Sequence, residues 1–120
     1  MKLIFTTAGE TLDATLDPSF GRARNFLLYD LESGTGQVIS NQQNLNAAQG
    51  AGIQAAQTIV KAGAQAVITG HCGPKAFRVL EAAGVKVYNT DAPTIVEALA
   101  RFRAGRLTEA MAANVEGHWA

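Results

Sequence analysis

The stretch AQAVITGHCGPKAFRVLEAAGVKVYNT (residues 64–90) decides the fold. It opens with AQAVITG (64–70), an apolar, β-rich run too short for a helix and closed by glycine. PKAFRVLEAAG (74–84) follows as a helix, with Pro74 suited to the first helical position and Gly84 to the end. VKVYNT (85–90) returns as a strand. Such a unit makes a parallel pair through a right-handed crossover, so the domain is α/β, with helices covering a sheet. The junction GHCGPKAF (70–77) also raises a chemical question. Helix starts are partly positive and attract acids. Here Lys75 stands in the first turn, after His71 and Cys72, two soft metal ligands. Either Lys75 points to solvent or an anion sits at this helix start.

Beyond this unit, APTIVEALARFRAG (92–105) is a third helix with Pro93 near its start, and 106–120 adds at most one turn before a tail. On the other side, IQAAQTIVKAG (53–63) is a helix with Ile53, Ala56, Ile59 and Val60 on one face, stopped by Gly63. QNLNAAQGAG (43–52) before it is a polar, glycine-rich loop. NFLLYDL (25–31) and QVISNQ (37–42) are strands joined by a hairpin turn at SGTG (33–36). KLIFTT (2–7) is a buried strand, and 8–19 is a polar connection containing Pro18. The order β-β-β-α-β-α-β-α predicts one domain over 1–108 with a mixed five-stranded sheet, strand order 3-2-1-4-5, and a tail over 109–120. In that order the carboxyl ends of strands 1 and 4 lie side by side, at a switch point where ligands of open α/β sheets bind.

The composition sets limits. A chain of 120 residues, 48% hydrophobic, suffices for one core without disulfides. Ten basic and ten acidic residues cancel, which argues against bulk-charge binding to nucleic acid or membrane. One cysteine fits a reducing compartment and excludes a Cys₄ site within one chain. There is no signal-peptide pattern and no apolar run long enough to span a bilayer, so a cytoplasmic location is expected. A monomer or weak dimer is expected as well.

Four loops border the expected crevice: TTAGETLD (6–13), FGRAR (20–24), QGAG (49–52) and GHCGPK (70–75). Gly50, Gly52, Gly70 and Gly73 permit close backbone approach to a ligand, and Arg22, Arg24 and Lys75 supply positive charge. Glycine-rich loops at helix starts with nearby arginine and lysine describe an anion site, although ordinary connecting loops need glycine too. His71 and Cys72 have two readings. They are conditional ligands of a soft metal, too few for a closed zinc site, or a buried thiol and a histidine bonded to nearby backbone. Glu10, Asp13 and Asp17 lie in one loop, and strand 1 has no acid of the kind a two-metal nuclease requires. No G-x-S-x-G, Walker A or H-E-x-x-H pattern occurs. His118 and Trp119 fall in the tail.

Taken together, DPSFGRARNFLLYDLE (17–32), QGAGIQAAQ (49–57) and GHCGPKAFRVLEAAGVKVY (70–88) resemble the dinitrogenase iron–molybdenum cofactor biosynthesis family, the small NifX-like proteins, over about residues 1–105. The resemblance implies a ribonuclease H-like three-layer domain that binds or carries anionic molybdenum- or iron-containing sulfide clusters and is not an enzyme. The HCGPKAF turn and the short single-domain length look most like members holding a molybdenum–copper sulfide cluster non-covalently. Relatives often carry a histidine just before the first glycine of QGAGI; Gln49 stands there, which puts a histidine ligand from that loop in doubt.

The expected cargo is therefore a molybdenum-containing sulfide cluster, Mo–Cu or Fe–Mo, or a thiomolybdate anion. Arg22, Arg24, Gly50, Gly52, His71, Cys72, Gly73 and Lys75 would hold it, with no nucleic acid or membrane partner and with protein partners left open. Two other classes are a colourless protein-interaction adaptor and a ribonuclease H-like nuclease, the latter disfavoured by the missing acid.

Overall fold

The computed structural model describes residues 1–45 and 50–111. Five strands, β1 (Lys2–Thr7), β2 (Asn25–Asp30), β3 (Thr35–Ser40), β4 (Ala66–Thr69) and β5 (Lys86–Asn89), form one sheet in the order β3-β2-β1-β4-β5. The β1–β2 and β2–β3 pairs are antiparallel, and β1–β4 and β4–β5 are parallel. This is the expected mixed sheet in the expected order. The helices are α1 (Gln42–Leu45), α2 (Ala51–Lys61), α3 (Pro74–Ala82) and α4 (Ile95–Arg103).

Both sheet faces are covered, so β1 is buried on both sides and reads as a continuous apolar run. On one face Ile4, Phe26, Val67 and Val87 pack against Ala55, Ala56 and Ile59 of α2 and Phe77 and Leu80 of α3. On the other, Leu3, Phe5, Leu27 and Ile68 pack against Ile95, Ala98 and Leu99 of α4.

Several element boundaries differ from expectation, and the short helix α1 stands where 43–52 reads as loop. The hairpin turn falls at 31–34, two residues early, because Gly34 takes the positive φ (71°) and donates its N–H to Asp30 O at 2.8 Å. Gly36 is then a strand residue opposite Tyr29, and β3 stops at Ser40 rather than at 42. The second helix begins at Ala51, because Gly50 in the left-handed region (φ 78°) caps it, so Gly52 belongs to its first turn and not to a loop. α4 begins at Ile95, where the Thr94 hydroxyl accepts from Glu97 N. After Gly105 the chain adds no helical turn up to Met111. It runs back along β5, with Ala110 N donating to Val87 O at 2.7 Å. His118 and Trp119 lie outside the described residues.

The long connection after β1 straps the sheet ends together. Thr6 and Thr69, at the carboxyl ends of adjacent strands, are fully buried and share a 2.9 Å hydrogen bond. The Thr6 hydroxyl also donates to Asp17 O at 2.6 Å, and Asp17 N donates to Thr6 O. Next, His71 N donates to Pro18 O and Phe20 N to His71 O. Pro18 lies directly on Gly70: a Cβ there would come within 2.7 Å of Pro18 Cα and 2.8 Å of its carbonyl oxygen. Gly70→Ala must lift the strap and is expected to destabilise the protein by about 1–3 kcal/mol. Urea denaturation followed by circular dichroism measures this; an unchanged midpoint would show that the strap yields freely.

Candidate functional site

α2 and α3 lie side by side on one sheet face, and their first turns touch. A Cβ on Gly52 would meet the Ala76 Cβ at 3.4 Å. Both helices have glycine at the N-cap, Gly50 and Gly73, with no side chain to accept from the first-turn N–H groups. Neither carries an acid in its first turn. α4 is built differently. Thr94 caps it, Glu97 stands in its first turn, and Ala14 O and Leu12 O accept from Ile95 N and Val96 N. The helix start with a full set of acceptors is thus α4, while those of α2 and α3 have neither a capping side chain nor an acid, and α3 carries Lys75 in its first turn.

The FGRAR turn seats on this pair. A Cβ on Gly21 would approach Gly52 Cα and N at 3.1 and 3.2 Å, so Gly21 backbone rests on α2 backbone. Phe20 and Ala23 anchor the turn in the core, leaving Arg22 and Arg24 exposed. Fully buried Asn41 donates from Nδ2 to Gly21 O at 3.2 Å and to Ala23 O at 2.7 Å. Lys75 is exposed on the first turn of α3. Neither Arg24 nor Lys75 pairs with a carboxylate among the described residues.

Three of the four expected loops therefore converge: 20–24, 50–52 and 73–76. The fourth, 6–13, is tied elsewhere: Leu12 O accepts from Val96 N at the start of α4, and Gly9 O accepts from Asn25 Nδ2 at 3.0 Å. The switch point between β1 and β4 is itself filled by the strap over 17–20. The convergence lies to one side of it, at the starts of α2 and α3.

His71 and Cys72 separate. Adjacent residues in extended chain point to opposite sides. Cys72 turns into the core with Phe20, Ala56 and Ala76, 1% exposed. Burial pushes its thiol up to about 12. His71 is exposed and lines a groove of about 580 Å³ at the carboxyl ends of β4 and β5, with Leu16, Pro18, Asn89, Thr90 and Pro93. None of Arg22, Arg24, Gly50, Gly52 or Lys75 lines that groove. Among the described residues no three His, Cys, Asp or Glu side chains gather as a metal site. The arrangement suits an anion held by N–H groups and basic side chains.

Gly21 and Asn41 stand outside the set of residues that the sequence points to. The pairing of Gly21 with Gly52 has no local signal, and Asn41 falls within QVISNQ (37–42), which reads as strand.

The model of the family described as "Dinitrogenase iron-molybdenum cofactor" matches residues 1–105. The apo form of the orange protein from Desulfovibrio gigas superposes with a TM-score of 0.92 at 37% identity, over 95% of this chain and 96% of that one. A Thermotoga structure assigned as a NifB protein superposes with a TM-score of 0.84 at 35% identity, over 97% and 98%. An uncharacterised protein of Methanocaldococcus jannaschii is 33% identical over 95 residues, 77% of this chain and 80% of its own length.

The buried thiol has a checkable consequence. Cys72 is expected to resist a disulfide reagent in the native protein at pH 8 and to react fully in denaturant. Its folded pKa lies above the ordinary value of 9.0, so its contribution to stability is complete below about pH 9 and falls as pH rises toward about 12. Rapid labelling of the native protein at pH 8 would contradict this placement.

Proposed function

The chain belongs to the dinitrogenase iron-molybdenum cofactor family, and on that premise we propose that it binds or carries an anionic molybdenum-containing sulfide cluster, of the Mo–Cu or Fe–Mo type. The observation carrying this reading is the pair of touching, glycine-started helices with no acid in either first turn, beside a turn bearing two exposed arginines. A thiomolybdate-type cluster is soft and anionic, and its terminal sulfides accept hydrogen bonds. Backbone N–H groups of the two first turns, that of Gly52 after Gly50 and that of Lys75 after Gly73 and Pro74, suit it, as do the side chains of Arg22, Arg24 and Lys75. Lys75 stands at a helix start because the anion would be there.

Cys72 and His71 remain conditional ligands in this reading. Cys72 must leave the core to bind, and His71 must turn from its groove. The protein acts as a carrier rather than an enzyme, on a ribonuclease H-like domain over 1–108 followed by a tail over 109–120. It works in the cytoplasm as a monomer or weak dimer, without nucleic acid or membrane. Among the described residues no helix is long and apolar enough to cross a membrane.

Titrating apo-protein with thiomolybdate, with and without copper, and following the visible charge-transfer band tests the reading; a colourless protein that takes up no anion would refute it. A desolvated, charge-assisted hydrogen bond contributes about 1.5–3 kcal/mol, roughly tenfold to hundredfold in affinity. Arg22→Ala and Lys75→Ala are each expected to weaken binding by that factor with the fold intact. Arg101→Ala is the control, since Arg101 is engaged on α4 with Asp91 at 2.9 Å and Glu97 at 3.3 Å. Parent-like binding by both site variants would refute this assignment. Cys72→Ala is expected to retain the cluster; loss of metal in a well-folded variant would make Cys72 a direct ligand.

A further inference from the structure

We propose that Asn41 is the positioning residue of the basic turn, its buried amide holding the two carbonyls that flank Arg22 and so setting where Arg22 and Arg24 meet an anion. This rests on the cluster reading above.

Asn41 directly follows β3, and its backbone N donates to Arg24 O at 2.9 Å, one step beyond the last strand pair, Asn25 with Ser40. That bond turns the side chain inward, where it is fully buried. Both groups facing its terminal atom are carbonyl oxygens, at 3.2 Å (Gly21) and 2.7 Å (Ala23), so the facing atom is the amide nitrogen. Its two N–H groups serve one carbonyl each. Those carbonyls bracket residue 22. Pulling both toward one interior point curls the chain around that point. Ala23 lies inside the curl at 0% exposure, with Arg22 and Arg24 outside.

Elsewhere the turn is held by the buried side chains of Phe20 and Ala23, by Phe20 N on His71 O at 3.1 Å, by Arg22 N on Ser19 Oγ at 3.3 Å, and by Gly21 against Gly52. Four polar residues are buried among the described ones. Thr6 and Thr7 bond to the carbonyls of the strap connection, and Thr69 bonds to Thr6. Asn41 is the one whose side chain serves the basic turn. Without its amide, the buried Ala23 carbonyl and the part-buried Gly21 carbonyl lose this donor, and the turn must open toward water to satisfy the buried one. The arginines would then be displaced while sheet and helices stay in place.

Asn41→Leu keeps the approximate shape and removes both N–H groups. In ligand-free protein it is expected to shift the backbone amide resonances of residues 21–24 and leave those of β4 and α4 unmoved. It is expected to bind thiomolybdate about tenfold more weakly than the parent. With Arg22→Ala and Arg24→Ala already present, the same substitution is expected to cost no further affinity, since no guanidinium is left to place. An equal loss in both backgrounds overturns the proposal, because Asn41 would then act through general stability. Unmoved resonances at 21–24 overturn it too. If the parent takes up no thiomolybdate, the cluster reading fails, and the ligand-free resonances by themselves decide whether Asn41 holds the turn. If Asn41→Leu does not fold, Asn41→Ser, which keeps one donor, carries the same comparison with a smaller change.

Discussion

The rest of the structure depends on the contact between the strap and the carboxyl ends of β1 and β4. Two buried threonine hydroxyls, Thr6 and Thr69, meet there, and that of Thr6 donates to the Asp17 carbonyl. One residue further, Pro18 occupies the space that any side chain at 70 would need. Both ends of this contact lead to the candidate site. The strap continues through buried Phe20 into the turn with Arg22 and Arg24, and β4 continues through Gly70 to Cys72 and the start of α3. A shift of the strap would move both together. Buried hydroxyl groups are costly unless partnered, so the network has one low-energy arrangement.

The helix starts divide the labour. α4 is finished at its N-terminus by Thr94, Glu97 and two loop carbonyls. α2 and α3 begin at glycines, which adds stability through neither a cap nor an acid. With glycine rather than a capping side chain at each start, the cost is only about a few tenths of a kcal/mol per helix. That cost has a use if the first-turn N–H groups are to face a ligand. The third contributor is charge placed on a turn with no regular structure of its own, which needs an internal support such as Asn41.

The separation of His71 from Cys72 bears on what kind of cargo suits the protein. Adjacent in sequence, they look like a ligand pair. In extended backbone they diverge, one thiol into an apolar core that keeps it protonated and one imidazole onto a groove at the ends of β4 and β5. Recognition by hydrogen-bond donors and positive charge leaves a preformed cluster intact on both loading and release.

Much of the fold was legible in the sequence. Every strand and long helix follows from apolar period and glycine–proline punctuation, and the order 3-2-1-4-5 follows from one hairpin and two crossovers. These signals are local, set by backbone sterics and side-chain period. Boundaries were less legible where one of two glycines had to take positive φ: Gly34 and not Gly36, Gly50 and not Gly52. The basic and glycine residues of the site were visible one by one. Only the tertiary structure decided that Leu12 is bonded to the start of α4, that Gly21 lies on Gly52, that Cys72 and His71 part company, and that the Asn41 amide bonds the Gly21 and Ala23 carbonyls. The reason is physical. Close backbone contacts and buried hydrogen bonds join residues far apart in the chain, and no residue's own chemistry names its distant partner.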